Sequence, residues 1–312
     1  MKIIGMTGFG GPEVLGVHEV QEPHAGPAAV RIRVKAAGVN PADVMLRAGM
    51  LSPGEAQPPW ALGMDAAGVI DEVGDGSRWA VGDRVMGIAL PFSEHGGAYV
   101  EYLTAPDDSI TSIPETTTFE EAATVPMNGL TATQTLDKLA LSPGQTLAVV
   151  GATGTLGAYV VQLAANAGLI VIADGTAEDE ALLRSLGATN FATRGEGYVE
   201  RIRKIVPGGV DGLADIASRK DDVLGAVADG GAYASVLGWP GSPQREIRFE
   251  LVQVSDDYLA HDTHDKLDAL AAAVATGELT PRVAAVITAA NASEAHHRFE
   301  AGGLRGRIVL TW

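Results

Sequence analysis

The sequence predicts an α/β protein built from a β-rich region and a doubly wound parallel sheet. Three observations carry that prediction. Short strand-like runs punctuated by Gly and Pro fill the chain up to about residue 125; from Pro126 helical stretches alternate with apolar runs; and a glycine-rich turn joins a strand to a helix at 151–157. In the first region the runs are Lys2 to Met6, Ala29 to Ala36, Ala67 to Val73, Arg84 to Ile88 and Ala98 to Thr104. In the second, a helix through Leu130 to Ala140 and a Ser142-Pro143-Gly144 turn lead into the apolar strand Thr146 to Val150. Leu169 to Ala173, Gly187 to Ala192, Val210 to Asp215, Gly231 to Leu237 and Ile247 to Val254 then bring the sheet to about six strands.

A chain of 312 residues is long enough for two ordinary domains of ~150 residues with cores that need no covalent staples. It contains no Cys, which excludes disulfides, thiolate-bound zinc, iron–sulfur clusters and a Cys nucleophile. With 22 Lys and Arg against 39 Asp and Glu the net charge is -17, a balance that repels a phosphate backbone and argues against nucleic acid. The N-terminal apolar stretch is broken by Gly, Thr and Pro, and no run approaches the ~18 apolar residues of a membrane span. A cytoplasmic protein with no membrane partner is the expectation.

The chemistry concentrates at Gly151-Ala152-Thr153-Gly154-Thr155-Leu156-Gly157. The turn must be tight, Gly154 lets backbone approach a pyrophosphate, and Gly157 lets helix and strand pack closely, while the helix N-terminus offers free N–H groups to an anion. Ala152 stands where the usual G-x-G-x-x-G pattern begins its glycines, so the strand, loop and helix context carries the nucleotide reading more than the motif does. Asp174 ends the next strand, twenty residues after Gly154, where a carboxylate meets ribose hydroxyls. Gly175 and the run Glu178-Asp179-Glu180 follow without a basic residue, which favours NADH over NADPH. The same acids also suit the first turn of a solvated helix.

Ordered blocks along nearly the whole chain resemble the medium-chain dehydrogenase/reductase superfamily, and most closely its zinc-free quinone oxidoreductase (ζ-crystallin-like) branch. They are Ala37-Gly-Val-Asn40-Pro-Ala-Asp43, Gly63-Met64-Asp65-Ala-Ala-Gly68, Val81-Gly-Asp83-Arg-Val-Met-Gly87, Gly96-Gly97-Ala-Tyr-Val-Glu101, Pro126-x-x-Gly129-Leu-Thr131 and the ending Ala295-His-His-Arg-Phe-Glu with Arg305-Gly306-Arg307. The resemblance implies a GroES-like catalytic domain at 1–125 and 258–312 and a Rossmann nucleotide domain at 126–257, with substrate in a cleft between them. Zinc-dependent relatives carry Cys and His where Asn40 and Met64 stand here, so no zinc is expected. His261 and His264 share a helix face but lack a third ligand.

By resemblance Asn40 lies near the nicotinamide ribose and the substrate oxygen, where its amide donates to a developing enolate; the alternative is that Asn40 and Asp43 stabilise a turn at Pro41. Met45 replaces a Tyr that relatives use near the substrate, and a thioether is no acid, so the proton donor is left unassigned. Tyr99 and Tyr102 qualify by residue type, though their strand positions suit packing. Met45, Trp60, Met64, Phe92 and Trp239 are expected around the substrate. Thr131, Thr153, Gly154, Thr155, Leu156, Gly157, Asp174, Gly175, Thr193, Leu237, Gly238 and Arg307 are expected around NAD(P)H, together with Asn40. The activity implied is hydride transfer to a quinone or conjugated carbonyl; reduction of enoyl thioesters or 2-alkenals, and nucleotide binding without turnover, are the alternatives. The strand at Ile247 to Val254 would form an exposed sheet edge, and pairing it across a two-fold axis predicts a homodimer.

Overall fold

In the computed structural model, which describes residues 1–93, 96–236, 238–255 and 262–312, the chain forms two units. The first comprises Met1–Met127, Ser255–Gly277 and Pro281–Trp312; the second comprises Asn128–Val254 and Glu278–Thr280.

Alternation builds the sheets of the first unit. In β3 (Ala29–Gly38) Val30, Ile32 and Val34 point inward, while Arg33 is exposed. This strand pairs antiparallel with β5 (Asp65–Val73) and β7 (Tyr102–Pro106), and β5 pairs with β6 (Arg84–Ile88), which meets β8 (Ile110–Ser112). The C-terminal strands β15 (Val283–Thr288) and β16 (Arg307–Thr311) extend the same sheet beyond β3. Val30, Ile32, Ile70, Val85, Ala105 and Ile110 pack into one core of this layer. Each large aliphatic side chain buried there contributes ~1.5–3 kcal/mol. A smaller sheet joins β1 (Lys2–Met6) to β2 (Gly16–Glu19) and β4 (Trp60–Ala61).

One expectation is corrected here: the strand expected over Ala98 to Thr104 begins only at Tyr102, while Tyr99, its side chain buried, bonds its N–H to the Leu62 carbonyl and its carbonyl to the Ile4 N–H, and Val100 makes a single bridge to Ile3. At Pro41, where a turn was the alternative, a helix starts, Pro41–Arg47, because Pro is tolerated at the first helical position and Asp43 at the third accepts the Asn40 N–H.

The second unit is a six-stranded parallel sheet in the order β11-β10-β9-β12-β13-β14. Its strands are β9 (Thr146–Val150), β10 (Ile170–Gly175), β11 (Asn190–Thr193), β12 (Val210–Asp215), β13 (Val227–Ser235) and β14 (Arg248–Leu251). The order reverses between β9 and β12, the switch point at which doubly wound sheets bind ligands beyond their carboxyl ends. Leu147, Ala148, Val149 and Val150 of β9 are buried on both faces, as a central parallel strand requires. Leu237 and His261 lie outside the described residues, as does the expected boundary at 257–258.

Candidate functional site

At the carboxyl end of β9 the chain turns through Gly151 at φ +87°, a left-handed value that a side chain would strain. The helix Thr155–Asn166 follows, with Gly154 at its N-cap and no side chain capping it. A Cβ on Gly157 would lie 2.2 Å from the Gly151 carbonyl, so this glycine is what lets the helix seat against the strand. A Cβ on Gly154 would meet nothing closer than 3.6 Å. The protein itself therefore leaves a bare backbone cradle beside uncapped N–H groups, and these residues fit a dinucleotide pyrophosphate.

The carboxylate of Asp174 holds this loop. Its Oδ1 accepts the N–H of Gly151 at 2.7 Å and of Ala152 at 2.9 Å, and the residue is 4% exposed. Burial pushes its pKa up, against the pull of those two N–H groups and of Arg194. Arg194, just beyond β11, donates from Nη2 to Thr153 Oγ1 at 2.9 Å, and lies 4.0 Å from Oδ2 of both Asp174 and Asp179. Asp179 Oδ2 turns back to accept the N–H and hydroxyl of Thr176, both at 2.8 Å, and Glu180 pairs with Arg184 one turn on. Asp179 thus caps its own helix start, and it is buried there. Thr193 is exposed, with its carbonyl held by Arg201 at 2.8 Å; Gly175 is buried against Asp179; Gly238 is exposed at φ +74° with open space around it. Thr131 is 5% exposed within the helix Pro126–Leu139, where its carbonyl accepts the Thr135 hydroxyl.

The first unit gathers a second set of polar groups, buried except for Glu300 at its end. Asn40 donates its backbone N–H to Asp43 Oδ2 at 2.8 Å and its side-chain Nδ2 to Asp65 Oδ2 at 2.7 Å. Asp43 also accepts from Gly63 N at 2.9 Å and from the Tyr99 hydroxyl at 3.3 Å. Tyr99 continues to His296 Nε2 at 3.3 Å, His296 Nδ1 faces Arg47 Nη1 at 3.4 Å, and Arg47 pairs with Glu300. Arg307 hydrogen-bonds the Val39 carbonyl at 3.0 Å and its charge bears on Asp65. Burial pushes Asp43 up to about 7 and Asp65 up to about 6, and drives His296 down to about 3. Asn40 and Asp43 are thus joined at the Pro41 helix start, and Asn40 has no exposed surface.

The residues expected around the substrate do not form one group. Trp60 stacks on Phe9 with centroids 5.5 Å apart and meets Phe92 edge-on at 5.9 Å; both Trp60 and Phe92 line a cavity of about 220 Å³ with Gln57, Val100 and Tyr102. Met45 and Met64 lie outside that lining, with Met64 buried and Met45 half-buried. Trp239, half-buried, packs on Tyr233 at 5.1 Å and on Phe249 at 5.7 Å against the core of the second unit, since β13 and β14 present both aromatics to it. Arg307 belongs to the buried group around Asp65 in the first unit. Sequence reasoning missed Arg194. The available signal was a lone Arg one residue past a parallel strand, on the ligand-binding edge. Among the described residues no group of three or more His, Asp or Glu is placed to hold a metal ion.

Family models match twice: an alcohol dehydrogenase GroES-like domain over residues 26–115 and a zinc-binding dehydrogenase domain over 186–310. Human quinone oxidoreductase is 31% identical over 330 residues, covering 99% of this chain and 97% of the relative. A structure described as an NAD-dependent alcohol dehydrogenase superposes with TM-score 0.89 at 29% identity over 100% of both chains. A mycobacterial protein solved in complex with NADPH gives 0.87 at 26% identity, again over 100% of both. A GroES-like unit and a Rossmann sheet with a glycine cradle in one chain define a medium-chain dehydrogenase/reductase, and the chain belongs to that superfamily. Within it, the chain is related to the quinone oxidoreductases, and it is an NAD(P)H-type oxidoreductase.

Proposed function

We propose that the protein reduces quinones or closely related conjugated carbonyls with NAD(P)H and without zinc. The bare cradle at Gly154, backed by the Asp174-anchored loop and an uncapped helix of twelve residues, is the observation that carries the cofactor half of this reading. The substrate half rests on likeness to the quinone oxidoreductases, and on Asn40 and Met64 standing where zinc-dependent relatives place Cys and His. Bound nicotinamide supplies a hydride; an electron-poor conjugated acceptor takes the electron pair and delocalises the charge.

The chain's own part is binding, orientation and exclusion of water. The loop 153–157 would hold the pyrophosphate, with Thr131, Gly175, Thr193, Gly238 and Leu237 proposed around the rest of the cofactor. Met45, Met64, Trp60 and Phe92 are proposed to give the substrate apolar walls. One hydride and one proton complete a hydroquinone, and Met45 donates no proton. A mild preference for NADH over NADPH, which the acidic run favours in sequence, stays part of the proposal, with one oxygen of Asp174 committed to the loop and Asp179 to Thr176. A homodimer through the edge strand β14 remains part of the proposal.

Stopped-flow loss of 340 nm absorbance with a panel of quinones, enones and enoyl thioesters tests the reading. Turnover should be fastest with quinones or simple enones. Cofactor binding without oxidation by any acceptor would refute it.

A further inference from the structure

Beyond the helix Pro41–Arg47 the first unit turns large apolar side chains toward solvent. Seven such side chains are exposed among the described residues, and three of them, Phe9, Met50 and Leu51, gather here at 45%, 67% and 45% exposure. Single exposed apolar residues are ordinary, whereas a group of them marks a surface that something covers. The group is also held in place. Phe9 stacks on Trp60 with centroids 5.5 Å apart and planes 11° from parallel. Gly49 ends the helix at φ +76°, and a Cβ on it would lie 2.9 Å from the Phe9 ring, so the chain turns over that ring only because Gly49 has no side chain. Met50 donates its N–H to the Met45 carbonyl at 2.9 Å, and Gly10 donates to the Arg47 carbonyl at 3.0 Å, which ties the Phe9 turn to the helix end. Trp60 and Met45, which this group meets by stacking and by that backbone bond, are two of the walls proposed for the acceptor. Charge narrows the occupant further. Segments 7–11 and 49–59 carry one charged side chain, Glu55, and no Lys or Arg. Arg47, two residues before Gly49, is 3% exposed and paired with Glu300, and the nearby charge at Gly11 is another acid, Glu13. The phosphates of a coenzyme A thioester meet no counter-charge in these segments, while a hydrocarbon chain has only apolar surface to bury.

We propose that the electron acceptor is a neutral quinone or enone bearing an apolar tail, and that Phe9, Met50 and Leu51 form the shelf on which the tail lies. The inference rests on the quinone reading and narrows it, and the shelf belongs wholly to the first unit. Met50 is unbranched and adapts to chains of different shape. Phe9, already fixed by Trp60 and the glycine turn, loses little further freedom when it is covered. A methylene moved fully out of water is worth about fourfold in affinity; a shelf covers one side of a chain, which brings the expected gain to about twofold per methylene.

Calorimetry on the full chain under nitrogen, with 2-ethyl-, 2-butyl- and 2-hexylhydroquinone as probes, reads the shelf without turnover; steady-state rates with the matching 2-alkylbenzoquinones and NADPH read it during turnover. Affinity should rise about twofold per methylene, which is about 16-fold from ethyl to hexyl. In the rates the gain should fall on KM with kcat unchanged, since the tail binds alike in the ground and transition states. Met50→Ser combined with Leu51→Ser changes only exposed side chains and should flatten both series; Phe9→Ser should flatten them in part, and Met50→Leu should keep the slope. A flat series in the wild-type protein, or a slope that the double variant retains, would overturn the shelf. A dimer in light scattering that the double variant breaks, with no dependence on tail length in either protein, would give this surface to a second copy of the chain instead. Absence of quinone reduction together with an intact slope in calorimetry would defeat the quinone reading and leave the shelf as a site for apolar chains.

Discussion

Replacing Tyr99 by Phe removes one oxygen from the middle of a buried chain of hydrogen bonds, and the structure fixes the direction of that chain. Arg47 can only donate, so the His296 Nδ1 facing it at 3.4 Å must accept. Neutral His296 then carries its hydrogen on Nε2 and donates to Tyr99 Oη, and the Tyr99 hydroxyl passes its own hydrogen to Asp43 Oδ2, both at 3.3 Å. Phe keeps the ring, which packs edge-on to His296 at 6.0 Å and beneath Gly63. What is lost is two long hydrogen bonds, and what remains is an N–H with no acceptor in a site of no solvent exposure. An orphaned buried donor costs about 1–3 kcal/mol, and the length of both bonds places the expected loss near 2 kcal/mol. Urea unfolding should show a lower midpoint with unchanged slope in the transition of the first unit. Adding His296→Leu to Tyr99→Phe should cost less than the sum of the two, since the second change removes the orphan that the first creates. A Tyr99→Phe loss below about 0.5 kcal/mol, or full additivity of the pair, would refute the directed chain.

The remaining predictions concern packing and pH. Gly157→Ala drives a methyl to 2.2 Å from the Gly151 carbonyl, an overpacking worth about 1–3 kcal/mol, and the shift it forces should weaken both cofactors in a fluorescence titration; unaltered binding would show that the loop tolerates movement. Asp43 and Asp65, raised from 3.8 to about 7 and about 6, keep protons in the folded state that the unfolded chain has released. Their contribution is therefore full below pH ~4 and lost as pH rises through 6 to 7. His296, lowered from 6.5 to about 3, acts with the opposite sign: its contribution is present above pH ~6.5 and lost on acidification toward 3. His296→Gln should accordingly fall behind the wild-type protein least at pH 4 and most at pH 7 in denaturant midpoints; a constant gap would mean that His296 does not change protonation on unfolding.

Much of the fold was legible because period and punctuation are local. The alternation in Ala29 to Ala36, the buried run Leu147 to Val150 and the placing of Gly154 and Gly157 each state their geometry within a few residues, and the structure follows them. The Pro41 helix was hidden by its own signal, since Asn-Pro with an Asp two residues on suits either a turn or a capped helix start, and only the Asp43 to Asn40 contact decides. The aromatic cluster at Trp239 was illegible for a related reason: its partners Tyr233 and Phe249 come from two different strands. The string Asp43–Tyr99–His296–Arg47–Glu300 spans nearly the whole chain and shows no local spacing at all.

Asp174 shows what position and residue type leave open. Position along the sequence located it correctly at the end of β10, on the edge where ligands bind, and residue type said that it accepts hydrogen bonds. Neither states which donors it meets. A carboxylate within reach of a strained glycine turn satisfies N–H groups that are present in every folded molecule, and a ribose competes only when it arrives. The same reasoning separates two kinds of acid in this chain: those such as Asp43, Asp65, Asp174 and Asp179, whose oxygens close the fold's own hydrogen bonds, and the exposed remainder, which contributes to the net charge of -17 without bearing on the site.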